Sequence, residues 1–120
     1  MIWPLTIFAD HKEQLRKRIE MITSKQRAWL RAKANSMPSQ FQIGKGELTS
    51  SLTDSLDEML TTHELLKLTV LKTAETEPAE IGRQLAEAVG ADIVQLIGRR
   101  IVLYRHSEKL AEKGRSMLLP

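Results

Sequence analysis

The spacing of apolar residues changes period several times along this chain, and each change marks an element. Lys25 to Asn35 are good helix formers, with Thr23 or Ser24 placed to cap their start and Pro38 to mark their end. Phe41 and Ile43 then alternate with Gln40 and Gln42, the period of a short strand, which runs into Gly44-Lys45-Gly46-Glu47. Thr49, Ser50 or Ser51 can cap a second helix, in which Leu52, Leu56, Met59, Leu60 and His63 recur as one buried face ending in a partly buried histidine. Leu66, Leu68 and Val70 alternate with Lys67, Thr69 and Leu71 as a second strand, and Thr73 to Glu77 form a polar connection. Pro78 suits the first turn of a third helix, with Ile81, Leu85, Ala88 and Val89 as its buried stripe and Gly90 as its stop. Ile93 to Ile97 and Ile101 to Arg105 are two further strands joined tightly through Gly98-Arg99-Arg100, which predicts a hairpin.

The predicted order is therefore α-β-α-β-α-β-β. Each strand-helix-strand crossover favours parallel pairing and the hairpin requires an antiparallel pair, so an α/β domain with a mixed sheet follows. The flanks are less regular. Residues 1–20 form an N-terminal extension in which Pro4 interrupts the apolar start and the charged run from Asp10 to Glu20 predicts helix from about residue 10. From His106 onward the chain is charged, contains Gly114 and lacks sustained periodicity, so residues 106–120 are expected to be a flexible tail.

Composition narrows the class. A chain of 120 residues has the length of one domain. Cysteine is absent, which excludes a thiol nucleophile, a thiolate zinc site and a disulfide framework, and leaves a cytoplasmic location as the default. No apolar run nears the ~20 residues of a membrane span, and Met1 to Phe8 lack the leading positive charge and cleavage site of a signal peptide. Charge changes the picture more, because the formal net charge of +3 conceals a sorting along the chain. Residues 1–47 hold nine Lys or Arg against four Asp or Glu, residues 48–80 two against seven, and residues 81–120 seven against four. Such separation predicts an acidic face and a basic one that attracts nucleic acid.

Catalytic chemistry finds little support. His11, His63 and His106 are dispersed with no zinc-ligand spacing, Asp54, Asp57 and Glu58 read as a solvated helix face, and no nucleophile elbow, P-loop or dinucleotide fingerprint occurs. A binding protein without cofactor or metal is expected instead. Gly44 and Gly46 bracket Lys45 between a strand end and a helix start, where a close backbone, unpaired helix N–H groups and a full positive charge together match phosphate. A plain structural turn has the same sequence. Gly98-Arg99-Arg100, followed by Tyr104-Arg105, is a second basic element. The first helix is a third, with Arg27 and Arg31 projecting opposite Trp29 and Lys25 and Lys33 flanking it, so Trp29 is assigned to packing.

Five segments carry a resemblance. Thr23-Ser24-Lys25-Gln26-Arg27, Gln42-Ile43-Gly44-Lys45-Gly46, His63-Glu64-Leu65-Leu66-Lys67-Leu68, Val94-Gln95-Leu96-Ile97-Gly98-Arg99 and Ile101-Val102-Leu103-Tyr104-Arg105 resemble, in order and spacing, the CRM domain. This is the chloroplast RNA splicing and ribosome maturation family, whose bacterial single-domain members are the YhbY-like proteins. The resemblance implies that residues 21–105 form a two-layer α/β domain with a four-stranded mixed sheet, similar to the C-terminal domain of bacterial translation initiation factor three. It also implies RNA binding and association with precursor large ribosomal subunits, so a monomer with ribosomal RNA of those subunits as partner is expected. Together with the basic elements, it gives Lys25, Arg27, Arg31, Gly44, Lys45, Gly46, Arg99, Arg100 and Arg105 as expected RNA contacts. Exposed aromatics are scarce, so readout of RNA shape is expected more than readout of sequence.

Two departures from the family pattern stand out. Its loop usually reads G-x-x-G, whereas the fourth position here is Glu47, whose carboxylate favours a helix N-terminus but repels phosphate. Bacterial relatives begin close to the T-x-K-Q-R segment, so residues 1–20 are either a lineage-specific extension or an upstream translated segment. The rival reading is a protein-interaction module that docks on an assembly factor or ribosomal protein through Asp54, Asp57, Glu58 and Glu64 of the acidic second helix.

Overall fold

A computed structural model describes residues 22–46 and 49–120; the expected extension at residues 1–20 and the Glu47 position lie outside the described residues. The elements run α1 (Ser24–Asn35), β1 (Phe41–Ile43), α2 (Ser50–His63), β2 (Leu65–Val70), α3 (Pro78–Val89), β3 (Asp92–Ile97), β4 (Arg100–Tyr104) and α4 (Glu108–Glu112). Local chemistry explains most of the boundaries. Thr23 and Gln26 form a reciprocal capping box, the Gln26 N–H donating to Thr23 Oγ1 at 3.1 Å and the Thr23 N–H to Gln26 Oε1 at 2.9 Å, so two otherwise unpaired helix donors are satisfied. Thr49 caps α2 one way, its hydroxyl accepting from the Leu52 N–H, and Pro78 opens α3. At the other end of α1, Lys67 reaches across from β2 and donates from Nζ to the Ala34 and Met37 carbonyls, both at 3.1 Å.

The four strands lie in the order β1-β2-β4-β3. β1 and β2 are parallel, with Ile43 opposite Val70, and β4 is antiparallel to both of its neighbours. The second crossover, through α3, thus returns β3 parallel to β2 but one place further out, and the hairpin folds β4 into the gap. Residue type explains which strand takes the centre. Ile101-Val102-Leu103-Tyr104 is apolar on both faces and fully buried, as an inner strand must be, whereas β3 carries Asp92 and Gln95 and a register shift between Ile93 and Gln95, features suited to an edge.

Helices cover both faces of this sheet, so the expected two layers become three. On one face Leu65, Val94, Val102 and Tyr104 pack beneath Leu30 and Ala34 of α1. On the other Leu66, Leu68, Val70, Ile101 and Leu103 meet Leu56 and Leu60 of α2 and Ile81, Leu85, Ala86 and Val89 of α3. Ala86 takes the buried place expected for Ala88, which is exposed.

Two further expectations are corrected. His63 is exposed, and the fully buried residue at that point is its neighbour Glu64, whose backbone takes φ 66° and turns the chain out of α2 into β2. That carboxylate then organises residues 106–120, expected as a flexible tail: it accepts from the Ser107 N–H, the Met117 N–H and the Ser116 hydroxyl, each at 2.7 Å. α4 lies against α2, and Met117 and Leu119 pack into the α1-side core. One buried carboxylate anchors this segment, so no apolar periodicity marked it.

Candidate nucleic-acid interface

Strand direction gathers three loops at one end of the sheet. β1, β2 and β3 all finish there and β4 begins there, so Gly44-Lys45-Gly46, Leu71-Lys72-Thr73 and Gly98-Arg99 become neighbours. Hydrogen bonds lock them together. The Leu71 N–H donates to the Ile43 carbonyl at 2.7 Å, the Val70 N–H to the Arg99 carbonyl at 2.7 Å, and Arg99 Nη1 to the Leu71 carbonyl at 3.2 Å. Gly44 packs closely on the next loop, because a Cβ there would stand 2.9 Å from Thr73 Oγ1 and displace that hydroxyl. Gly46 follows at φ 72°, the left-handed region that reverses the chain.

The positive charge of this edge follows from register. Lys45 and Lys72 lie in the turns that follow β1 and β2, which the Leu71–Ile43 hydrogen bond holds side by side, and the Thr69–Arg100 pairing places Arg100 and the adjacent Arg99 on the next strand over. All four cations are exposed, and among the described residues no carboxylate pairs with any of them. α2 starts at Ser50, four positions after Gly46, so its N-terminus does not follow directly on the glycine loop.

Other expected contacts fall elsewhere. Lys25 and Arg31 are exposed on α1, while Arg27 is half-buried with its Nε donating to the Ile93 carbonyl at 3.4 Å. Ile93 precedes Ile97 by four strand residues, so this helical patch lies ~13 Å or more from the hairpin tip. Arg105 serves the fold: its guanidinium pairs with the Asp57 carboxylate and donates to the Val89 carbonyl at 2.8 Å and the Thr61 hydroxyl at 2.9 Å, leaving its side chain 16% exposed. Trp29 sits half-buried at the rim of the α1-side core with the Lys33 ammonium 5.3 Å from its ring centre, and Leu30 fills the slot beneath the helix. Lys72 was missed by pattern reading because it lies in a connection of no period. The signal was present, since Ile43-Gly44-Lys45 and Val70-Leu71-Lys72 align once β1 and β2 are taken as parallel.

A cleft of 570 Å³ opens at the opposite end, between Ile22, Gln26, Asp92, Tyr104, His106 and Glu108.

Fold and site together define a class: small α/β domains whose mixed sheet ends in a glycine-bracketed, cationic loop cluster. The chain belongs to the CRS1 / YhbY (CRM) domain family, whose model matches residues 22–105. Probable RNA-binding protein YqeI of Bacillus subtilis is 35% identical over 89 residues, which are 74% of this chain and 93% of that protein. Probable RNA-binding protein MJ0652 of Methanocaldococcus jannaschii is 33% identical over 99 residues, 81% of this chain and 70% of that one. The solution structure of hypothetical protein SAV1595 from Staphylococcus aureus is similar with a TM-score of 0.66 at 35% identity, covering 82% of this chain and 99% of the other.

Proposed function

We propose that this protein is a non-catalytic, cytoplasmic RNA-binding factor that engages ribosomal RNA of the precursor large subunit through Lys45, Lys72, Arg99 and Arg100. The observation that carries this reading is the locking of three loops into one cationic edge by the Leu71–Ile43, Val70–Arg99 and Arg99–Leu71 hydrogen bonds. Two relatives bear the name of probable RNA-binding proteins, which supports RNA over other polyanions. The affinity is electrostatic, each phosphate contact releasing about 0.7 to 0.9 of a counterion. Filter binding of precursor large-subunit RNA at two salt concentrations, with co-sedimentation on precursor particles, is the test. Tight binding that weakens steeply with salt, and migration with the precursor, are expected; salt-insensitive weak binding sinks the reading. Docking of a protein through the acidic helix is less well supported. Glu64 is buried and Asp57 is held by Arg105, so Asp54 and Glu58 are what remains of that contact set.

A further inference from the structure

One row of side chains crosses the whole sheet beyond the end of α1, open except at its half-buried threonine. Gln42 pairs with Thr69, Thr69 with Arg100, and Arg100 with Ile97, so β1, β2, β4 and β3 each contribute one residue to a line. Two residues back along the strands, Lys67 and Val102 lie under α1, which places this row on the α1 face; the helix stops short of it. Gln42 and Arg100 are exposed, Thr69 is half-buried with its hydroxyl 2.7 Å from that of Ser39, and Ile97 is 62% exposed. A large apolar side chain left open beside cations is poorly explained by phosphate binding alone.

We infer that this row is a floor for the bases of single-stranded RNA, and that the site takes unpaired nucleotides. The inference rests on the RNA-binding reading above and names the form of RNA bound. Charge complementarity fixes the occupant: Lys45, Lys72 and Arg99 line the loop end of the sheet just beyond the row, Arg99 over the end of β2, so a strand whose phosphates follow that edge lays its bases over the floor. Four strands span ~14 Å, room for about two to four nucleotides. The floor chemistry suits bases. Ile97 offers apolar contact to a base face, the Arg100 guanidinium a plane for stacking, and the Gln42 amide and Thr69 hydroxyl donors and acceptors for base edges. A duplex keeps its base faces stacked inside and has no use for such a surface.

The test compares a 12-nucleotide oligouridine with a 12-base-pair RNA duplex by fluorescence anisotropy, using the full chain. The single strand binds more tightly. Ile97→Ser weakens the single strand roughly five- to tenfold with an unchanged salt slope and leaves the duplex unaffected, and Arg100→Lys, which keeps the charge and loses the plane, weakens the single strand by more than it weakens the duplex. Lys45→Ala weakens both RNAs and lowers both slopes. A duplex bound as tightly as the single strand, or floor variants that bind the single strand like the wild type, overturns the floor while RNA binding stands. Binding of neither RNA overturns both.

Discussion

Glu64 shows how much one residue decides. Its carboxylate is fully buried and takes three donors from residues 107–117, with His106 Nδ1 3.4 Å away, while its backbone holds a left-handed φ that costs a non-glycine residue of order 1–3 kcal/mol. Glu64→Ala leaves those donors buried without an acceptor. A loss of about 3 kcal/mol or more is expected by urea denaturation, and limited proteolysis should then cut near residues 106–117 first. Tyr104 is the other residue whose surroundings set a measurable property. Its pKa is pushed up to about 12, by burial first and then by the Glu64 and Asp92 carboxylates. An unfolded tyrosine ionises near pH ~10. Below that pH both states are neutral and the contribution is fully present; from about 10 to 12 the unfolded chain loses its proton first, so stability falls by roughly 2–3 kcal/mol. The chain has one tyrosine, so its ultraviolet absorbance titration reads this group alone, and Tyr104→Phe should remove that part of the stability loss.

At the scale of elements, α1 and α3 are held by different means. α1 has a mixed polar and apolar sequence and depends on its capping box, on Lys67 at its C-terminus and on Leu30, which is fully buried. Leu30→Ala should cost about 2–5 kcal/mol, and Trp29→Ala distinctly less because the ring is half outside the core. Thermal melts of the pair rank the two, and a reversed order would return Trp29 to the central packing role that its size suggests. α3 buries Gly82 against Ile101 and Leu96, yet a Cβ at 82 would meet their methyl carbons at 3.5 Å, an ordinary contact. Gly82→Ala is therefore expected to stabilise by about 0.5–1 kcal/mol through the reduced entropy of the unfolded chain, seen as a higher urea midpoint at unchanged slope.

For the whole molecule the useful question is where the cations go. Lys67 and Arg105 are spent inside the fold, Arg83 is paired with Glu80 and Glu87, and Lys45, Lys72, Arg99 and Arg100 are left together at one end. Lys72→Ala should therefore lower the slope of log affinity against log salt as much as Lys45→Ala does, by up to about 0.7 to 0.9, whereas Arg105→Lys should reduce stability first. Equal slopes for Lys72→Ala and the wild type would remove the middle loop from the interface. Period, capping residues and turn glycines are local properties, and they determined by themselves that α1 is capped at Thr23 or Ser24, that β1 runs into a glycine loop, that α3 stops at Gly90 and that a hairpin closes the sheet. The family resemblance was legible for the same reason, since its motifs are short runs in fixed order. Strand order, the covering of both sheet faces, the burial of Glu64 in place of His63, the docking of residues 106–120 and the internal use of Arg105 were decided by tertiary structure alone. Each depends on which distant side chain supplies a partner, and a hydrogen bond or ion pair across about 40 to 50 residues leaves no periodic trace in the chain that makes it.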